Sequence, residues 1–336
     1  MTALLSIIGV VSGTLGIWGF AEDHLPAKIE PTRPSSQQPM KFTTTTRVVA
    51  GLDGTNGMSH AGGYIQQAQH FDNNDVAFAD SYGRQRLEDG SYIDIKLEYS
   101  QGLQSVYTRI DASHDNVCIG LLSTTWADGT KFGWVGDWAN ICGLPSYYSG
   151  IIMPNGKSPA CMWLGNDSPV TKAPFSIKIK WHDFLSENGE LPSGAEAKAM
   201  CGKSMKAYDA YLSEIKLPAN QQISTGSGNT RKRDSFHHMG RSDDRLIVSS
   251  LSGQNATALC EQHNSYGPDF ISVEEGIYCN METRETLPLC SSSIVGECFD
   301  VDSASHISND GAHKPSIRAR NPTQVIRWGP NEGRKE

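Results

Sequence analysis

Eight cysteines divide this chain into two halves. They fall at positions 118, 142, 161 and 201 and then at 260, 279, 290 and 298, with Arg231, Lys232 and Arg233 between the two sets. None forms a CxxC, so a zinc ribbon or a thioredoxin-like redox motif has no ligand pair to start from. An even number in each half is what two separate disulfide sets leave in an exported protein. The rival arrangement is a set of free buried thiols in a cytosolic chain.

The amino terminus favours export. "ALLSIIGVVSGTLGIWGF" (3–20) is apolar, and Gly19-Phe20-Ala21 offers small residues around a cut after Ala21. That pattern is a secretory signal, expected over 1–21. The alternative is a retained membrane segment, since Gly9 and Gly13 make a GxxxG and Gly16 and Gly19 follow. Asn166-Asp167-Ser168 and Asn255-Ala256-Thr257 are acceptors for N-glycosylation, which agrees with export.

On that route "RKR" before Asp234 reads as a dibasic processing site, cut after Arg233. It sits in a mobile polar linker, 218–233, without apolar periodicity. The bland alternative is a solvated charge cluster. Net charge is −8, so broad electrostatic binding to nucleic acid is excluded.

The first half reads as mainly β. Residues 22–42 are a Pro-rich extended lead-in, and a β-sandwich domain is expected over 43–217. "YIDIKLEY" (92–99) and "FSIKIKW" (175–181) alternate apolar and polar residues, the signature of antiparallel strands with one wet face. Asp89-Gly90, Asp128-Gly129, Asn155-Gly156 and Asn188-Gly189 supply hairpin turns. About eight strands are expected between 43 and 184.

Ser193 and Glu196 form a capping box, and Ala197, Cys201, Met205, Tyr208, Leu212 and Ile215 recur at helical spacing. One helix is therefore expected over 194–215. That places Cys201 on a buried face within reach of a strand. Cys118–Cys201 and Cys142–Cys161 are the pairs expected, among the connectivities that four cysteines allow. The second half, 234–328, reads as a small disulfide-rich α+β domain with strands at "RLIVSS", "DFISV" and "TQVIRW" and pairs Cys260–Cys279 and Cys290–Cys298. A disordered tail follows at 329–336.

Catalytic motifs are few. "CGKS" (201–204) imitates a phosphate loop, but Ala197 stands where its first glycine belongs. No GxSxG or HExxH is present. His237-His238 has no third ligand at a metal spacing, and His182-Asp183 reads as a half-exposed strand end. Asp111, Asp115 and Asn116, with Asp167 in a second loop, are oxygen-rich positions that could hold Ca²⁺; turn chemistry explains them equally well.

The aromatic cluster draws most attention. Trp126, Trp134, Trp138, Tyr147 and Tyr148 lie in one hairpin and its following loop, and Trp163 follows Cys161. Such rings can stack on sugars, or fill the core of a small β-domain. Asp137 lies between two of them, but without a second acid at a defined spacing it supports no glycosidase assignment.

"LGIWGFAEDHLP", "GWVGDWANICG", "ACMWLGNDSP" and the block from Asp243 to Asp300 resemble a family of secreted proteins of filamentous fungi. That family carries the same cysteine framework in two parts, often with a dibasic junction. The resemblance covers roughly residues 10–300 and implies no activity. The expectation is thus a secreted, disulfide-stabilised binding protein, with a cell-wall glycan or a host protein as partner. The alternatives are a polysaccharide hydrolase or lyase using Asp137 with Asp167 or Asp111, and a membrane-active protein using a retained amino-terminal segment.

Overall fold

A computed structural model of the chain describes residues 26–30, 40–51, 61–100, 103–113, 115–152, 158–165, 173–184, 194–210, 212–215, 245–291, 296–308, 313–314, 322 and 324–329. The expected leader, Asn166, Asp167, the linker with Arg231, Lys232 and Arg233, His237-His238 and the tail from 330 onward lie outside the described residues. The chain separates into two compact units, with described residues 26–215 in the first and 245–329 in the second. Among the described residues no helix is long and apolar enough to cross a membrane.

The first unit is built from two antiparallel sheets. Its strands are β1 (Phe42–Ala50), β2 (Gly63–Phe71), β3 (Ala77–Leu87), β4 (Tyr92–Tyr99), β5 (Tyr107–Ala112), β6 (Val117–Thr125), β7 (Lys131–Val135), β8 (Ser146–Tyr148), β9 (Ala160–Leu164), β10 (Ser176–Lys180), β11 (Met205–Tyr208) and β12 (Glu214–Ile215). The first sheet runs β4-β1-β6-β9-β8, with β7 also paired to β6; the second runs β12-β11-β10-β5-β2-β3. The alternation in "YIDIKLEY" is realised in β4, where Ile95, Leu97 and Tyr99 are buried and Asp94, Lys96 and Glu98 are exposed. β6 is buried at every residue, as befits an apolar central strand.

One hydrophobic core draws on both sheets. Val48, Leu97, Leu122 and Trp134 enter it from the first, and Ile65, Ala68, Ile110, Ile177 and Met205 from the second. Two short helices, α1 (Asp137–Ile141) and α2 (Gly194–Met200), and a 3-10 turn, Trp181–Phe184, close its ends. Trp138 meets Phe184 edge to face at 4.9 Å. Gly136, just before α1, has no room for a side chain: a Cβ there would lie 2.4 Å from Ala160 O.

Two expectations need correction here. The helix expected over 194–215 stops at Met200. Gly202 then takes φ +82°, and Met205–Tyr208 continues as a strand with Met205 and Ala207 inward. Apolar residues at helical spacing were thus serving a helix end and then a strand. The disulfides follow the same error. Cys118 bonds to Cys161 and Cys142 to Cys201, in place of Cys118–Cys201 and Cys142–Cys161. β8 and β9 bring Cys161 back beside β6, where Cys118 lies opposite Trp163, two residues away. Cys201 is left to meet the C-cap of α1.

The second unit holds a mixed sheet of order β16-β15-β14-β13-β20. Its strands are β13 (Arg245–Ser249), β14 (Asp269–Ser272), β15 (Ile277–Asn280), β16 (Glu285–Pro288) and β20 (Gln324–Trp328). β17 (Cys298–Asp300), β18 (Ser305–Ile307) and β19 (His313–Lys314) form a separate sheet. β13 is parallel to both of its neighbours, and α3 (Ala256–Glu261) lies on the crossover to β14. Leu246, Val248, Ile271, Tyr278 and Phe299 make its core, with the Tyr278 and Phe299 rings stacked at 3.9 Å. Cys260–Cys279 ties α3 to β15, and Cys290–Cys298 closes the segment that leads into β17.

Candidate ligand-binding face

The six aromatic residues singled out in the sequence are core. Trp126, Trp134, Trp138, Tyr147, Tyr148 and Trp163 expose between 1% and 4% of their surface. Trp126 packs on Phe132 at 4.6 Å, and Trp134 enters the common core of the two sheets. Rings this covered fill volume between layers; they present no face on which a sugar could stack.

The acids read as catalytic or metal-binding candidates are held structurally. Asp137 is buried in the first turn of α1, and its Oδ1 accepts the Ala160 amide at 2.7 Å. Asp111 receives both arms of the Arg109 guanidinium, at 2.9 and 3.2 Å. Desolvation raises the Asp111 pKa against the pull of that guanidinium. Asp115 is exposed, and Asn116 is half-buried against Gly165. Among the described residues no group of three or more His, Cys, Asp or Glu side chains comes together around a metal position. His182 packs against Trp126 and Phe132 at 5.4 and 5.3 Å.

A buried polar cluster escaped the sequence reading. His70 is fully enclosed, its Nδ1 2.8 Å from Ser105 Oγ and 2.9 Å from Thr108 Oγ1. Ser105 Oγ also donates to Tyr107 O, and Trp181 Nε1 donates to Thr108 Oγ1 at 2.7 Å. The network is satisfied when His70 carries its proton on Nδ1 and leaves Nε2 a bare lone pair in apolar surroundings. Burial pushes the ring pKa down to about 3, so the imidazole is neutral. Serine and histidine are in contact here, but both are sealed from solvent, and no substrate reaches them.

The face with chemistry to offer is the outer side of the second sheet. Period-two alternation sends Ile110, Ile177, Ile179 and Met205 inward, so their neighbours point out. Register then assembles rows across the strands. One row runs Tyr82, Gln67, Asp111, Ser176 and Tyr208, ending at Glu214. The next runs Asp80, Gln69, Arg109, Lys178 and Lys206. Phe71 lies opposite Tyr107 in a third.

Lys178 is only 6% exposed, with its Nζ 3.5 Å from the Phe71 ring centroid and 5.2 Å from that of Tyr107. It pairs with Asp75 from the turn between β2 and β3. Burial lowers the Lys178 pKa, partly offset by Asp75. Lys206 pairs with Glu214 at 3.3 Å. Tyr82 is 75% exposed, beside a β-bulge in the pairing of β2 with β3, and the Arg84 guanidinium stacks on Tyr64 at 3.6 Å. Bulges of this kind re-aim side chains at the rim of a sheet. The sequence shows the alternation in "FSIKIKW", whereas "MKAY" reads there as part of a helix. What brings them together is strand order.

No family model matches the chain, and no curated protein matches it. Crystal structures of a Delta413-417:GS LOX and of two single-residue variants of it align with 10 or 11% identity over 28% of this chain and 14% of that chain, at TM-scores of 0.21 and 0.22. The chain therefore spans about one seventh of those structures, and scores of that size assign no fold.

Proposed function

We propose that the protein is a secreted, disulfide-stabilised binding protein whose ligand is a glycan, docked on the outer face of the second sheet. In this reading the two sheets of the first unit are the layers of a β-sandwich. The cut after Arg233 and the glycans at Asn166 and Asn255 belong to its maturation. The observation that carries the proposal is the composition of one face: Tyr82, Tyr208 and Tyr107 share it with Gln67, Gln69 and Arg109. Aromatic surfaces pack on sugar CH groups, while amides and guanidinium bind hydroxyls. The hydrolase reading is weaker, because Asp111 and Asp137 are buried and already bonded. Four disulfides fit an oxidising route.

The test is a cell-wall pulldown and glycan array with the full chain and its Tyr82→Ala and Gln67→Ala variants. Retention on polysaccharide that drops in both variants, with thermal unfolding unchanged, supports the reading. Retention unaffected by either substitution, or none on any polysaccharide, overturns it; capture of a host protein alone would move the assignment to that partner.

A further inference from the structure

Three cations stand in line on the proposed binding face. Lys178 lies opposite Arg109 on one side and Lys206 on the other. Strands about 4.8 Å apart put the row across about 10 Å. Like charges directly opposite on one sheet face are destabilising, and this chain carries net charge −8. A face that only needed to be wet would not gather cations in register.

The acids that offset the row stand mostly at its border. Asp75 comes from the turn after β2, and Glu214 from the edge strand β12; they are 57% and 45% exposed. The Lys206–Glu214 pair, half-exposed on both sides, contributes little and exchanges readily for another carboxylate, whereas Lys178 is buried and only its partner Asp75 is exposed. Asp111 holds Arg109 in place from below its fork, and Asp80 closes the far end of the row. The Lys178 ammonium is already stripped of most of its water over the Phe71 ring. Asp75 supplies its counter-charge from the turn, and a carboxylate on the ligand would compete with Asp75 for the same ammonium. Tyr82 and Tyr208, in the row beside it, flank the cations with ring surface.

We infer that the face takes an acidic glycan, a chain of sugars bearing carboxylates, with Arg109, Lys178 and Lys206 meeting the carboxylates and the tyrosines meeting the sugar rings. This rests on the glycan reading above. Guanidinium and ammonium donors form their strongest hydrogen bonds to such anions, and a neutral glycan has no use for the row.

The experiment uses the full chain with two probes of one backbone, polygalacturonate and its methyl-esterified form, and polyglutamate as a peptide control. The expected result is affinity for the acid form about tenfold above that for the ester at low salt, with the gap closing as salt is raised. Lys206→Gln, which removes a half-exposed pair and should leave thermal unfolding unchanged, lowers binding of the acid form alone, and Lys206→Arg restores it. Equal binding of acid and ester overturns the inference and leaves the glycan reading standing. Polyglutamate bound as tightly as polygalacturonate also overturns it, because the sugar is then not what is recognised. Failure to bind any polysaccharide overturns both.

Discussion

Cys142 and Cys201 are bonded, so the residue that caps α1 is tied to the residue that follows α2. The two cysteines are 59 positions apart, one in the connection between β7 and β8 and the other between α2 and β11. Peptide mapping without reduction should recover Cys142–Cys201 and Cys118–Cys161. In a chain-entropy account, replacing both Cys142 and Cys201 with alanine should lower unfolding free energy by about 4 kcal/mol. A Cys118–Cys201 peptide would contradict the fold of this unit.

The buried tryptophans should behave as core. Trp134 and Trp138 are each 1% exposed. Trp134→Ala or Trp138→Ala should cost about 3–5 kcal/mol in denaturant unfolding. Tyr82→Ala, at a residue 75% exposed, should change stability by no more than about 0.5 kcal/mol. The reverse order of effects would contradict the burial of Trp134 and Trp138 in the core and the exposure of Tyr82.

His70 makes stability depend on pH with a definite sign. Its pKa falls from 6.5 in the unfolded chain to about 3 in the fold. Between those values the unfolded chain binds a proton that the fold refuses, so stability is full above the upper value and is lost as pH falls below it. The loss is about 1.4 kcal/mol per pH unit from this residue. Asp111, whose pKa is raised, works in the opposite direction, so the wild type must be compared with His70→Gln. Urea titrations at about pH 6.5 and pH 5 should show the wild type losing about 2 kcal/mol more than the variant. Parallel losses would place His70 in contact with water.

Much of this architecture was legible in the chain, and the reason for each gap is physical. β4 could be read because one face is wet and the other dry, which writes period two into the sequence; β10 carries the same alternation of residue types, although Ser176 and Lys178 on its outward side are buried. The stretch after Met200 misled because Cys201, Met205 and Tyr208 satisfy a helical period by coincidence. What ends the helix is a backbone turn at Gly202, with φ +82°. The cysteine pairs were lost with it, since Cys201 was placed on a helix that does not extend that far. The proposed binding face could not be assembled from the sequence. Gln69, Arg109, Lys178 and Lys206 are far apart along the chain and adjoin only through the order β2, β5, β10, β11.

Asn255 has a structural duty that bears on its role as a sequon. It is the N-cap of α3, and its Oδ1 accepts the Ala258 amide at 2.7 Å. The Glu275 carboxylate takes the Ala256 and Thr257 amides, at 2.7 and 3.2 Å, so the first turn is satisfied by two side chains. Removing the sequon through Asn255→Gln would therefore disturb the helix along with any glycan. Asn255→Asp keeps a good cap and Thr257→Ala leaves Asn255 in place; both abolish the acceptor triplet. Stability of these two should stay close to that of the deglycosylated wild type, whereas Asn255→Ala should lose about 1 kcal/mol. Intact mass reports the glycan and denaturant unfolding reports the cap, so the two roles separate cleanly. If Asn255→Ala unfolds at the wild-type midpoint, Glu275 alone holds the start of α3.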